Sequence, residues 1–522
     1  MNEPNDDLTQ EAKAGACCGG RKWLVRGLVA AGAVVVLAAL VWLEESWRGK
    51  QAWESQKRAA EAKGDKLDWR VLIPKAVPDD QNFAATPLLR PLFANEALTP
   101  PASKQELVAR FRRLANFDLT LGVSKTRGFP HFANVERNEE TELKGWQKFY
   151  RGNKQFTNVT ASSSKSPADD VLRALGRFDE DLAELEAAAA RPQNRAPIEY
   201  QEDQPSRLFL PRVARLKEVS LVPHLRAVAR LEAGQAPAAL SDVKLCFRLA
   251  DTLRQEPTLL THLTRLQPLY VALQTVREGL ARHAWDDAQL VELEKTLAPL
   301  DLLRDYQQAM RGERVLNVAS LECLRTGHWP RLGTNLSVLG DMETQAGLAK
   351  YRLMPTAMSY HNQATVCRWH EEFALPAVEE KEHRVFPQKV LDWGQEVSQA
   401  TDTIYRGFAC LAFPALTNAV SRTARAQTVV DHLRIACALE RHRLAHGQLP
   451  DKLDALAPKF LEKLPHDLAT GEPMKYRRAE GGAYTLYSVG WNLKDDGGDP
   501  MLIGNPPRPD VLRGDWVWKL EK

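Results

Sequence analysis

The sequence predicts a mainly α protein with an N-terminal transmembrane helix, a helical body built as a bundle or short solenoid, and a small α+β C-terminal subdomain made of one long helix plus an antiparallel sheet. Three observations predict it. Gly27 to Leu43 is an apolar run without a charge. Leucine-rich stretches at helical spacing, separated by Pro and Gly, fill most of residues 102–422. After Gly447 the pattern changes to short alternating segments divided by Gly-rich turns. The chain divides accordingly into a tail at 1–20, an anchor at 21–45, a charged neck and Pro-rich linker at 46–101, a body at 102–422 and the α+β subdomain at 423–522.

As a helix, the apolar run is about 25 Å long, enough for a thin hydrocarbon core. Arg21, Lys22 and Arg26 precede it and Glu44 and Glu45 follow. Basic residues accumulate on the cytoplasmic side, so the N-terminus is expected in the cytoplasm and the bulk in the periplasm, held at the inner membrane. Trp23, Trp42 and Trp47 sit where indoles favour the headgroup layer. A signal peptide needs small residues at its cleavage site, whereas this run ends Leu40-Val41-Trp42-Leu43, so the span is read as uncleaved.

Six prolines between Lys66 and Pro101 predict an extended stretch that lies against the body or spaces it from the bilayer. Ser103 with Glu106 makes a capping box for a helix carrying Leu107, Phe111 and Leu114. Residues 122–165 read mostly as loop. Ser166-Pro167 opens a helix bearing Leu172, Leu175, Leu182 and Leu185, which stops near Pro192. Leu221 to Leu253 forms a helical hairpin broken at Ala233-Gly234. This pair resembles a single tetratricopeptide unit without a repeat, or a plain hairpin within a bundle. Pro257 opens a helix that Pro268 should kink, and Asp286 and Asp301 cap two more. Helices are expected around Ala364–Phe373 and Val390–Phe408. Thr423 to His446 reads as one long helix ended by Gly447. Strands follow at Met474–Arg478 and Tyr484–Val489, joined at Gly481-Gly482, with an edge strand at Trp516-Val517-Trp518.

The balance of charge, +3 over 522 residues, argues against a nucleic-acid partner, which calls for a concentrated basic patch. Seven cysteines are scattered without a CxxC pair. They read as small buried hydrophobes, with one disulfide allowed after export. No phosphate-binding loop, GxSxG elbow or HExxH motif is present. His442 and His446 at i, i+4, or Cys367 with His370, supply half a zinc site at most. Ser162 with Lys165 matches SxxK spacing without its companion motifs.

Leu444 to Leu456, Leu464 to Arg477 and Tyr484 to Asp499 together resemble the exported part of type II secretion major pseudopilins. The likeness covers Thr423 to Trp518. It implies a helix packed across a small antiparallel sheet and an acidic loop that binds calcium. Asp495, Asp496, Asp499 and Asp515 fall where the ligands would stand. A Gly-rich acidic loop can wrap a hard cation; it is equally the composition of an ordinary solvated turn. Gly27 after Arg26 imitates the pseudopilin leader, but Gly32 stands where that family carries the glutamate needed for filament assembly. The chain as a whole resembles uncharacterised single-anchor bacterial envelope proteins, a likeness that implies no activity. The expected role is therefore non-enzymatic interaction or scaffolding with an envelope protein partner, near a secretion-type apparatus. The alternative is an envelope hydrolase whose site assembles only in three dimensions.

Overall fold

A computed structural model describes residues 16–93, 105–115, 130–160, 166–198, 213, 215–326, 356–400, 405–505 and 507–521. Ser103, Ser162 and Lys165 lie outside these residues. The protein is mainly helical, with one long apolar N-terminal helix and a few small antiparallel sheets.

Helix α1, Ala16–Ala62, runs for 47 residues without interruption. Its apolar window is long enough to cross a membrane and none of it is buried, which excludes a core helix. From Glu45 onward one stripe turns inward at helical spacing: Glu45, Gly49, Ala52, Trp53, Gln56 and Ala60 are partly or fully buried. The small residues let α1 lie close on α11 (Thr356–Trp369). A Cβ at Gly49 would stand 2.9 Å from the Ala357 carbonyl oxygen. Beyond α1 the chain stays pinned. Arg314, 1% exposed, takes Asp65 on one side at 2.6 Å and Glu371 on the other, and Lys63 also pairs with Glu371 at 2.5 Å.

The proline-rich stretch lies against the body rather than spacing it. Phe83, Leu88, Leu89 and Leu92 are fully buried with Leu182, Leu225 and Leu249. Asn82 holds this stretch by exchanging two hydrogen bonds with the Arg195 backbone, at 2.8 and 2.9 Å.

The body helices are α2 (Gln105–Ala115), α3 (Leu143–Gly152), α4 (Pro167–Leu175), α5 (Asp179–Ala189), α6 (Leu216–Glu232), α7 (Ala236–Ala250), α8 (Leu259–Ala281), α9 (Asp287–Leu297), α10 (Leu302–Arg325), α11, α12 (Pro387–Gln399) and α13 (Gly407–His446). Helix α3 replaces part of the expected loop: Leu143, Trp146 and Tyr150 recur at helical spacing and are all buried. The helix expected from Ser166 to Pro192 is divided at Gly176–Phe178 by a tight turn into α4 and α5. Helix α8 begins at its Thr258 cap and runs through Pro268. Ser166, Asp286 and Asp301 cap α4, α9 and α10 through their side chains, with Gln289 completing a capping box on α9.

Helix α13 begins sixteen residues before Thr423 and ends at Gly447, whose φ of +76° suits glycine. It packs against α8, α9, α10 and α12. The sheet order is β3 (Lys475–Arg478), β4 (Tyr484–Ser488), then β7 (Trp516–Leu520), with Leu486 opposite Trp518. Two-residue pairs make β1 (Val378–Glu379) with β2 (Arg384–Val385), and β5 (Leu502–Ile503) with β6 (Arg508–Pro509). Leu486 and Trp518 share one core with Leu439 of α13 and Leu273 of α8. The C-terminal sheet is therefore part of the body's packing. Asn138 ties it further, donating to Val517 and accepting from the Lys519 amide, both at 2.9 Å.

Candidate functional site

The charged stripe that follows the apolar run faces a cavity of about 640 Å³, within the range of small-molecule sites. Four separate segments build it: Glu45 to Gln56 of α1, His361 to Arg368 of α11, the Gln399-Ala400 end of α12, and Tyr405-Arg406 before α13. Arg48, Arg368 and Arg406 line it with Glu45 and His361. Glu45 lies 3.0 Å from Arg48 and 3.4 Å from His361. Arg368 and Arg406 both approach the same Glu396 oxygen at 3.3 Å, and Arg368 also lies 3.6 Å from Glu372. The Tyr405 ring stands edge-on to His361 with centroids 5.0 Å apart. Among the described residues His361 Nε2 has no hydrogen-bond partner. The arrangement suits binding of a charged group.

A second group of ionisable side chains gathers from four segments: Asp301 at the start of α10, His383 in the β1–β2 turn, Asp431 of α13 and His466. His383 stands 3.8 Å from Asp301 and 3.9 Å from Asp431, and its carbonyl accepts from His466 Nε2 at 3.1 Å. Its φ of +52° is left-handed, an unusual conformation for a non-glycine residue. Burial pushes Asp431 up to about 7, against the pull of Arg434, while burial lowers His383 despite Asp301. Neither imidazole hydrogen-bonds a hydroxyl or thiol among the described residues.

The acidic loop is held by donors of its own. Both Asp515 oxygens accept backbone amides, from Asp496 at 3.3 Å and Gly498 at 2.6 Å. Asp496 takes Lys494 and Asn492, each at 2.9 Å. Asp495 accepts from Tyr487 at 3.1 Å with Lys475 at 3.7 Å, and Asp499 accepts from Met501 at 2.8 Å. Among the described residues no group of three or more His, Cys, Asp or Glu side chains is disposed to hold a metal. A calcium ion would have to displace two lysines and the amides that shape the turn, so the donor set fits the ion poorly. Millimolar calcium is accordingly expected to leave the melting temperature unchanged. A rise that disappears in Asp496→Ala would restore the calcium assignment.

The other residues singled out from the sequence have structural contacts. His442 and His446 stack at 4.2 Å and both face Phe460, with their Nδ1 atoms on backbone carbonyls. Cys367 is buried in the core and burial pushes its thiol up to about 12. Cys246, Cys367, Cys410 and Cys437 are free and buried, and Cys323 is free and partly buried.

Four buried imidazoles give the fold an acid sensitivity. Burial lowers His224 to about 4 and His262, His370 and His432 to about 3. Their folded values lie below the unfolded one, so the unfolded chain binds more protons between about pH 3 and 6.5. The stability they carry is present above pH 6.5 and is lost as pH falls. Asp242, Glu313 and Asp431 act in the opposite sense, because burial raises them to about 6, 7 and 7. His262→Gln isolates one imidazole: between pH 6 and 4 the slope of stability against pH should flatten by about 1.4 kcal/mol per unit. An unchanged slope in denaturant titrations would mean that His262 is charged in the folded protein.

These features define a helical protein with one N-terminal helix able to span a membrane and a charged cavity beside that helix. No protein-family profile, curated protein or solved structure matches the chain.

Proposed function

We propose that the protein is a membrane-anchored interaction or scaffolding protein of a bacterial envelope, with its N-terminus in the cytoplasm and its body in the periplasm at the inner membrane. One observation carries the reading: α1 continues from its apolar segment into the body without a break and is packed there through Gly49, Ala52 and Ala60. A tether needs only a flexible neck, whereas a continuous docked helix fixes the height and orientation of the body above the bilayer. The basic residues before the span and the acidic ones after it support the orientation.

The pseudopilin-like tail supports a place near a secretion-type apparatus. Its long helix α13 packs against β4 and β7. The hydrolase alternative has less support, because among the described residues no hydroxyl or thiol hydrogen-bonds the imidazoles of either ionisable cluster. The test is proximity labelling with the full-length protein in its own membrane. Reproducible enrichment of an envelope protein over a control carrying the span alone is expected. Recovery of no envelope partner would count against the scaffold reading.

A further inference from the structure

We propose that His442 and His446, on the last turn of α13, form a two-imidazole site for a divalent transition metal, with copper(II) the preferred ion. The two residues stand four apart, so both side chains leave the same face of the helix. Their protonation pattern follows from their partners. His442 Nδ1 lies 2.9 Å from the Gln448 carbonyl oxygen, and His446 Nδ1 lies 3.0 Å from that of His442. A carbonyl oxygen can only accept, so each Nδ1 carries the proton and donates it. In the neutral imidazoles the lone pair therefore sits on Nε2 of both rings. Metal-bound histidines are oriented in the same way, with the other ring nitrogen donating to a carbonyl or carboxylate.

The spacing of the rings selects the ion. Their centroids are 4.2 Å apart and their planes are inclined by 32°. With metal–nitrogen bonds of about 2.0 Å, two imidazoles at a right angle on one ion place their centroids about 4.5 Å apart, and a tetrahedral angle about 5.1 Å apart. The observed spacing is nearer the right angle, the geometry of copper(II) and nickel(II), and copper heads the affinity order. His383 and His466 make a useful contrast: their centroids are 6.3 Å apart, and His466 spends its Nε2 on the His383 carbonyl. Phe460 packs edge-on against both His442 and His446, with centroids at 5.5 and 5.8 Å, which restrains their rotation. The neighbouring cations Arg441 and Arg443 are offset by Asp287 at 2.8 Å and Glu440 at 2.7 Å. The negative end of the helix dipole also favours a cation at the last turn. Two protein donors do not make a closed zinc site, which takes four, so water completes the coordination.

The test titrates copper(II) chloride into the full-length protein, without an affinity tag and in lipid nanodiscs, with glycine present to suppress weak sites. Electron paramagnetic resonance of the one-to-one complex should show superhyperfine coupling to two imidazole nitrogens. Losing an outer partner of a metal-bound histidine already costs about 10–100-fold, so losing a ligand in His446→Gln should weaken binding by at least about tenfold. The same variant should show coupling to one nitrogen. Its melting temperature without copper should match wild type, because His446 is exposed at the helix end. His131→Gln, which removes an exposed histidine elsewhere, should bind as wild type does. Coupling to a single nitrogen in the wild type, or undiminished affinity in His446→Gln, overturns the proposal. The wild-type spectrum needs no substitution and decides the matter even if a variant folds poorly.

Discussion

Replacing Arg314 with Ala is expected to destabilise the folded protein by about 3 kcal/mol, the lower end of the range for breaking a buried ion pair. Arg314 is 1% exposed, while Asp65 and Glu371 retain 20% and 18% of their side-chain exposure. Removing the cation leaves two carboxylates near each other, with Lys63 the remaining partner of Glu371 and Arg311, 3.6 Å away, that of Asp65. The consequence goes beyond stability. Asp65 belongs to the segment that follows α1, and Glu371 to the π turn after α11. The substitution therefore loosens the end of α1, which Lys63–Glu371 and Arg311–Asp65 still hold, and protease cleavage near residues 62–66 should accelerate. Arg314→Lys should recover only part of the loss, since one ammonium cannot make two directed guanidinium contacts. Full stability in Arg314→Ala would show that the helix end is held by other contacts.

Gly312→Ala should have the largest effect of a single methyl group. An ideal Cβ at Gly312 would lie 1.5 Å from the Pro257 carbonyl oxygen, and that neighbour is backbone, which cannot rotate aside. Helix α10 passes over the start of α8 at this point, so one element must move. Overpacking costs about 1–3 kcal/mol where side chains can yield, and at least about 3 kcal/mol is expected here. Gly394→Ala, where nothing lies within 4 Å of the new Cβ, is the matched control and should be neutral or slightly stabilising. Equal midpoints for the two variants in denaturant would contradict the packing of α10 on Pro257.

The local signals were readable in the sequence. Ser166, Asp286 and Asp301 cap helices because the hydrogen bonds lie within three residues of the cap. Gly447 ends α13, and β3 and β4 pair across the turn at Gly481-Gly482, for equally local reasons. The reading failed where tertiary contacts decided the outcome. The segment containing Phe83 and Leu88 is legible as proline-rich, but in place of the expected extended chain it forms tight turns at Asp79–Gln81, Phe83–Ala85 and Arg90–Leu92, and its burial depends on Asn82 meeting Arg195, more than a hundred residues away. Helix α13 starts at Gly407 and runs through Pro414 because its flanks are covered by α10 and α12.

The cavity was the least legible feature. Its residues come from positions near 48, 364, 399 and 406, and no spacing rule joins them. One signal was available: Glu45, Arg48, Ala52, Ser55 and Gln56 form a polar and small-residue stripe at helical spacing after the apolar run. A freely solvated neck has no need of such a face.

The central claim is that the membrane segment and the body are joined by one unbroken, docked helix. Hydrogen exchange on the full-length protein in lipid nanodiscs tests it most directly. In the proposed anchor, residues 44–62 lie beyond the hydrocarbon, so any protection there comes from helix and packing alone. Slow exchange continuous from the apolar segment through Ala62, strongest at Gly49 and Ala60 on the buried stripe, is the predicted result. A rapidly exchanging break between Leu43 and Ala52 would make the anchor a tether and contradict the account.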